Sequence, residues 1–262
     1  MTAVLSTRNI EKVWGRDVLP APFAAQDRRI GEIWFDPPPA LDTLLVKYLF
    51  TSDKLSVQVH PPGAEGKDEC WLVLDAEPGA VIGIGFRDRI DAATMRRAAL
   101  DGSIEDMLAW HPVERGDFVF IPAGTVHAIG AGVSLVEIQQ NRDVTYRFYD
   151  YGRPRELHLD EAIAVAEGRP LDPALRGKLP EAGHATIADG PHFRVIRLDG
   201  APDPDLVASW CGPALVVPLS GRYEIAGEEV GPGQCALAMG LADIAWHGPA
   251  QCLLAQPCTE GA

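Results

Sequence analysis

Residues 55–74 read LSVQVHPPGAEGKDECWLVL, and the two apolar runs inside this stretch decide the fold class. Both are short, rich in Val and Leu, and separated by Pro and Gly, as β-strands bounded by turns are. In a strand, side chains two apart share a face, so Gln58 and His60 project to one side while Val57 and Val59 project to the other. Glu69 heads the second run after a turn through Pro61, Pro62 and Gly63. A hairpin at that turn is expected to return its carboxylate toward Gln58 and His60.

The same texture continues outward. LLVKYLF (44–50), AVIGIGF (80–86), DFVFIPA (117–123), VSLVEIQQ (133–140) and VTYRFYD (144–150) are further short runs of β-branched and aromatic residues. Their density predicts a mainly β architecture, a sandwich or barrel. Residues 91–110, DAATMRRAALDGSIEDMLAW, repeat apolar residues at helical spacing and predict a helical excursion between strands; ELHLDEAIAVAEG (156–168) predicts another. Residues 166–190 are dense in Pro, Gly and charge and read as a linker. Beyond them HFRVIRLDG, ALVVPLSG, RYEIAG, QCALAMG and QCLLAQP predict a smaller β-domain over 191–262, separate from a first domain over 1–165.

Composition narrows the class of function. The chain has 262 residues, 47% of them hydrophobic, which is ample for a core without disulfide staples. Its 37 Asp plus Glu outnumber 23 Lys plus Arg, for a net charge of −14. That balance argues against nucleic acid and anionic membranes as partners, so an anionic ligand needs a local basic pocket. Five cysteines with no CxxC spacing fit reduced thiols. With no apolar run long enough to span a bilayer and no signal-peptide pattern in MTAVLSTRNIEKVW, a cytoplasmic protein is expected.

A second stretch, GDFVFIPAGTVHAIG (116–130), places His127 just beyond a Pro-Ala-Gly turn that fixes the backbone path. Taken singly, Gln58, His60, Glu69 and His127 are more often solvated or core residues than ligands. Together, two imidazoles, a carboxylate and an amide oxygen suit a borderline divalent cation, of which zinc is the natural choice, with room left for water or substrate.

The two stretches resemble the paired motifs of the cupins, and Gln58-x-His60-x8-Glu69 with His127 resembles the form used by type I phosphomannose isomerases. IEKVWG, LSVQVHP, GKDECWLVLDAEPGA and QQNRDVTYRFYDYGRPRELHLDEAI are similar to segments of that family, in family order, over roughly the first 165 residues. The resemblance implies a cupin (jelly-roll, double-stranded β-helix) barrel with a smaller cupin-like C-terminal β-domain that lacks a metal site. It implies one zinc per chain on Gln58, His60, Glu69 and His127, and interconversion of mannose 6-phosphate and fructose 6-phosphate through an enediol(ate). Arg147 matches the family's active-site arginine, whose permanent charge suits an enediolate. Lys67, Glu137 and Asp143 are alternative proton-transfer groups, with no ranking among them. Lys47 and Ser56 match phosphate-site positions, and Arg153 is a further candidate there. The substrate implied is a small sugar phosphate, handled by a monomer or homodimer. Pro62 and Gly63 stand where many relatives carry acidic residues, and the large helical insertion of longer family forms is missing. A non-catalytic sugar-phosphate-binding cupin, a cupin acting on another sugar and a metal-dependent oxygenase remain as rival expectations. Gln58, where oxygenases of this fold more often have His, speaks against the last.

Overall fold

The computed structural model describes residues 3–23 and 27–258. Its first part consists of β1 (Thr7–Arg16), β2 (Ile30–Phe35), β3 (Leu44–Phe50), β4 (Val57–Val59), β5 (Glu69–Ala76), β6 (Val81–Phe86), β7 (Leu108–Pro112), β8 (Asp117–Ile121), β9 (His127–Ile129), β10 (Val133–Gln140), β11 (Tyr146–Tyr149) and β12 (Arg176–Lys178). One antiparallel sheet runs β1-β2-β3-β10-β5-β8-β12, and a second runs β11-β4-β9-β6-β7. The architecture is mainly β, as expected.

Alternation along the strands explains how the sheets stack. On β5, Trp71 and Val73 turn toward the second sheet, where Ile82, Ile84 and Ile129 meet them. Cys70 and Leu72, between them in sequence, turn the opposite way. The seven-stranded sheet is therefore covered on both faces, which is why all seven residues of β3 are buried. The outer face of the second sheet, carrying Val57, Val59, Ala128 and Phe148, packs under α1 (Ala92–Asp101), α2 (Ile104–Met107) and α3 (Leu159–Val165). α1 opens where the Asp91 carboxylate accepts the Thr94 amide proton at 2.8 Å, and it closes at left-handed Gly102.

The later strands are β13 (Ala185–Asp189), β14 (Phe193–Asp199), β15 (Ala214–Ser220), β16 (Tyr223–Ile225), β17 (Glu228–Val230), β18 (Ala236–Ala238), β19 (Ile244–Trp246) and β20 (Gln251–Pro257), with α4 (Pro204–Ser209) among them. They form sheets β13-β14-β20-β15-β18 and β17-β16-β19. Phe193, Val195, Leu215 and Leu253 share one core with Tyr48, Leu72 and Val136 of the seven-stranded sheet. Residues 166–190, the expected linker, hold β12 and β13, which pair with β8 and β14 respectively.

Three local expectations are corrected. The first two sheets face each other without closing into a barrel: β7 is an unpaired edge of one and β12 an unpaired edge of the other among the described residues. The link from His60 to Glu69 is not a hairpin, because β4 and β5 lie in different sheets and the link crosses between them. The helical excursion ends at Met107, and Leu108–Pro112 joins β6 as strand β7 because its backbone finds partners there. No helix is long and apolar enough to cross a membrane among the described residues.

The turn before His127 depends on Gly124. Its φ is +89°, its amide donates to the His60 carbonyl at 2.8 Å, and a Cβ there would lie 3.1 Å from the Val165 carbonyl. Replacing it with Ala places an L side chain in the left-handed region, costing about 1–2 kcal/mol. For a chain of this size Gly124→Ala should lower Tm by roughly 2–8 °C in a calorimetric scan; an unchanged Tm would contradict this account of the turn.

Candidate metal centre and its cavity

Both sheets turn one polar end of their facing surfaces toward a common space. The cross-strand register sets Gln58 of β4 opposite His127 of β9, and Arg147 of β11 opposite Gln58. From the seven-stranded sheet, Glu137 of β10 stands between Lys47 of β3 and Trp71 of β5. The loops between these strands fasten to one another. The Asp68 carboxylate accepts the Ala123 amide proton at 2.8 Å, and the Asp68 amide donates to Gln140 Oε1 at 3.0 Å. Gly124 bound to His60 completes the clamp.

The three ionisable ligand candidates converge. His60, Glu69 and His127 are each no more than 1% exposed, and one donor atom from each lies within 4.8 Å of the others. Glu69 Oε1 is 3.1 Å from His60 Nε2, and Glu69 Oε2 is 3.8 Å from His127 Nε2. Each imidazole is oriented from behind: His60 Nδ1 donates to the Val144 carbonyl at 2.8 Å, and His127 Nδ1 donates to the Thr125 carbonyl at 2.9 Å. That pattern puts the neutral ring's proton on Nδ1 and points the Nε2 lone pair inward, as at metal-binding histidines. Burial first, with Lys67 adding to it, lowers the His60 pKa to about 4, and burial also lowers that of His127. Both rings are neutral near neutral pH.

Two lone-pair-bearing atoms are consequently left in the cluster without a donor. His60 Nε2 and Glu69 Oε2 are buried without a hydrogen-bond partner. Nothing organic in the cluster satisfies both, whereas one divalent cation would. Gln58 completes the set: its Nε2 donates to His127 Nε2 at 3.3 Å, while its Oε1 accepts the Ser56 hydroxyl at 3.1 Å. Turning the amide over presents Oε1 inward and leaves Nε2 to donate to Ser56. The residues present therefore fit a zinc-type ion. Burial pushes the Glu69 carboxyl up, but the Lys67 ammonium, 2.9 Å away, leads the pull that sets it well below the usual carboxylate range.

A cavity of about 280 Å³ opens onto this cluster. Of the sequence candidates, Gln58, Glu69, Lys67, Glu137, Asp143, Arg147, Lys47 and Ser56 line it. Lys47 is fixed by Glu137 Oε1 at 3.1 Å, by Gln139 Oε1 at 2.5 Å and by the Trp34 ring at 4.4 Å. Trp71 donates its indole proton to Glu137 Oε2 at 2.9 Å and meets His127 edge-on, with centroids 5.5 Å apart. Of the cations lining the cavity, Arg147 alone has no carboxylate within 4 Å among the described residues: its Nη1 donates to the Glu156 carbonyl at 2.6 Å, and its buried Nε has no partner.

Arg153 is placed differently. It does not line the cavity, and its guanidinium reaches Asp150, the Lys54 carbonyl and the Tyr151 ring. Arg155 lines the cavity instead, held by both Asp150 oxygens at 2.5 and 2.6 Å. Sequence reasoning missed Arg155, and it missed Lys12 and Glu32, whose 3.3 Å pair brings β1 and β2 onto the cavity. An arginine two residues beyond Arg153 was the only available signal for the first; the second had none, because β1 looks like a charged surface segment.

Fold and site together define a cupin-type double sheet carrying a candidate metal centre at one polar end. The chain is 40% identical over 144 residues to mannose-6-phosphate isomerase of Streptococcus mutans, and 41% identical over 141 residues to mannose-6-phosphate isomerase ManA of Bacillus subtilis. These matches cover 49% and 47% of this chain, and 45% and 44% of the relatives; the matched segments thus span about half the length of the curated relatives. No family model matches the chain. Among solved structures, the mannose 6-phosphate isomerase of Bacillus subtilis superposes with a TM-score of 0.76 at 22% identity, covering 98% of this chain and all, 100%, of that one. A zinc-bound mannose 6-phosphate isomerase superposes with a TM-score of 0.69 at 14% identity, covering 98% and 99%. Over 98% of its length the chain shares the fold of these two solved structures.

The buried pair Lys47–Glu137 yields a stability test. Lys47→Met strands a buried carboxylate and should cost about 3–5 kcal/mol, whereas adding Glu137→Gln to it should recover most of the loss. Urea unfolding of the single and double variants checks this; a double variant no more stable than Lys47→Met would mean that the pair is not the source of the cost.

Proposed function

We propose that the chain is a zinc-dependent mannose-6-phosphate isomerase, interconverting mannose 6-phosphate and fructose 6-phosphate, with residues 1–165 as its metal-binding unit and 191–262 as an accessory β-domain. The observation that carries this reading is the pair of inward Nε2 atoms beside the buried Glu69 carboxylate, which itself lines a cavity where five Lys and Arg side chains outnumber the other acids. The similarity to named isomerases supports the particular reaction.

In this reading Gln58, His60, Glu69 and His127 would hold the ion, which would supply Lewis acidity to the substrate's oxygens. Moving a proton between the substrate's C1 and C2 carbons develops negative charge on oxygen, and Arg147 lines that space with an unused Nε–H and no carboxylate within 4 Å among the described residues. The proton carrier is drawn from Lys67, Asp143 and Glu137. Glu137 already accepts from Trp71 and pairs with Lys47, so both its oxygens are engaged, and Lys67 is paired with Glu69. Asp143 lines the cavity as well. Lys47, Ser56 and Arg155 supply the cationic and hydroxyl contacts for the phosphate, with Arg155 in the role first assigned to Arg153. Five free cysteines agree with a reducing cytoplasmic setting. One zinc per chain and a monomer or homodimer complete the proposal.

The test is a coupled assay for fructose 6-phosphate formation from mannose 6-phosphate, run on chelated protein and again after zinc is restored. Activity that falls with chelation and returns with zinc is expected. His127→Ala should lose both zinc and turnover, and Arg147→Ala should keep zinc while kcat drops by about a hundredfold or more. Folded, zinc-loaded protein that binds the sugar phosphate without turning it over would instead indicate a binding protein.

A further inference from the structure

A second cavity, of about 330 Å³, lies where the two facing sheets stay open, beside edge strands β7 and β12. Its inner wall is apolar, built by Val73, Ile82, Ile84, Val113 and Val119 with Trp71, all of them buried. Trp71 also lines the metal-site cavity, so one indole ring separates the two spaces.

Three polar side chains stand at the mouth: His111, Asp117 and Arg176. Asp117 is already engaged, accepting the Glu114 amide proton at 2.7 Å with Lys178 at 4.0 Å. Arg176 makes no hydrogen bond or ion pair through its side chain among the described residues. It is held over the opening by β12, which lies close on β8 because Gly177 has no Cβ; one would come 2.8 Å from the Phe118 ring. His111 sits beside it, and burial, followed by the charge of Arg176, lowers the His111 pKa. At neutral pH the imidazole is thus an uncharged group with an N–H to give.

We infer that this cavity is a second small-molecule site, taking a monocarboxylate with an apolar or aromatic body, its carboxylate on Arg176 and His111 and its body against Trp71, Ile82 and Val113. The volume is in the range of small-ligand pockets, which are apolar with a few convergent polar groups. A free guanidinium at an apolar mouth matches one carboxylate in both charge and fork geometry. A sugar phosphate has no apolar body to place here, so this site is distinct from the proposed catalytic one and does not depend on it.

Calorimetric titration of 2-naphthoate into the metal-free full-length chain tests the assignment, since no zinc is then present to bind the carboxylate. One site per chain is expected, with 2-naphthol binding more weakly. Arg176→Ala, an exposed position that should fold normally by circular dichroism, should weaken 2-naphthoate by about tenfold. Val113→Trp should abolish binding by filling the cavity, and Arg147→Ala in the other cavity should leave it unchanged. Absence of saturable binding up to millimolar naphthoate, equal affinity in folded Arg176→Ala, or loss of binding in Arg147→Ala would each overturn the inference.

Discussion

A carboxylate with 1% exposure, Glu69, is the constraint around which the rest of this molecule is arranged. Taking that charge out of water costs several kcal/mol unless compensating groups are already in place. Lys67 at 2.9 Å supplies one compensation from two residues away in sequence, and the inward imidazoles of His60 and His127 supply a pocket for another. Those groups come from different sheets, so the cluster requires the two sheets to face each other in a fixed register. The loop clamp of Asp68 to Ala123 and Gly124 to His60 ties that register to the turn that delivers His127. Folding and ligand placement are here the same problem.

The interior between the sheets is graded along its length. Lys47, Glu69, Glu137 and Gln139 occupy the polar end of the seven-stranded sheet, while Val73, Val133 and Leu135 fill the other end with apolar bulk. Trp71 stands at the boundary, giving its ring edge to His127 and its N–H to Glu137. Lys47, Lys67 and Glu137 at this end each have a fixed charged partner, whereas Arg147 has no carboxylate within 4 Å among the described residues and its Nε proton is unused. Preorganised charge of this kind needs little rearrangement when negative charge develops nearby, which is the property the proposed isomerisation requires.

Strands such as β3 and β10 were legible because both faces are buried and their apolar runs are nearly continuous; the sequence showed them end to end. Gln58 and His60 were legible as a same-face pair for the elementary reason that strand side chains alternate. The β1–β2 pair was not, since half of TRNIEKVWGR is solvent-exposed and its charges hide the alternation. The crossing between sheets at residues 60–69 was read as a hairpin because short-range turn chemistry carries no information on which sheet the next strand will join. Arg153 and Arg155 differ by two positions in one loop, and only the shape of that loop, where Tyr151 has φ of 55° and Asp150 grips both arginines, decides which one reaches the cavity.

The central claim is that His60, Glu69, His127 and Gln58 form one divalent metal centre. X-ray absorption of the zinc-loaded full-length chain tests it most directly, because the scattering identifies the donor atoms without reference to turnover. The account predicts a shell of nitrogen and oxygen at about 2.0–2.2 Å with the outer-shell signature of two imidazoles and no sulfur. Sulfur at about 2.3 Å would place the metal on the cysteines, and a shell without imidazole would contradict the site outright.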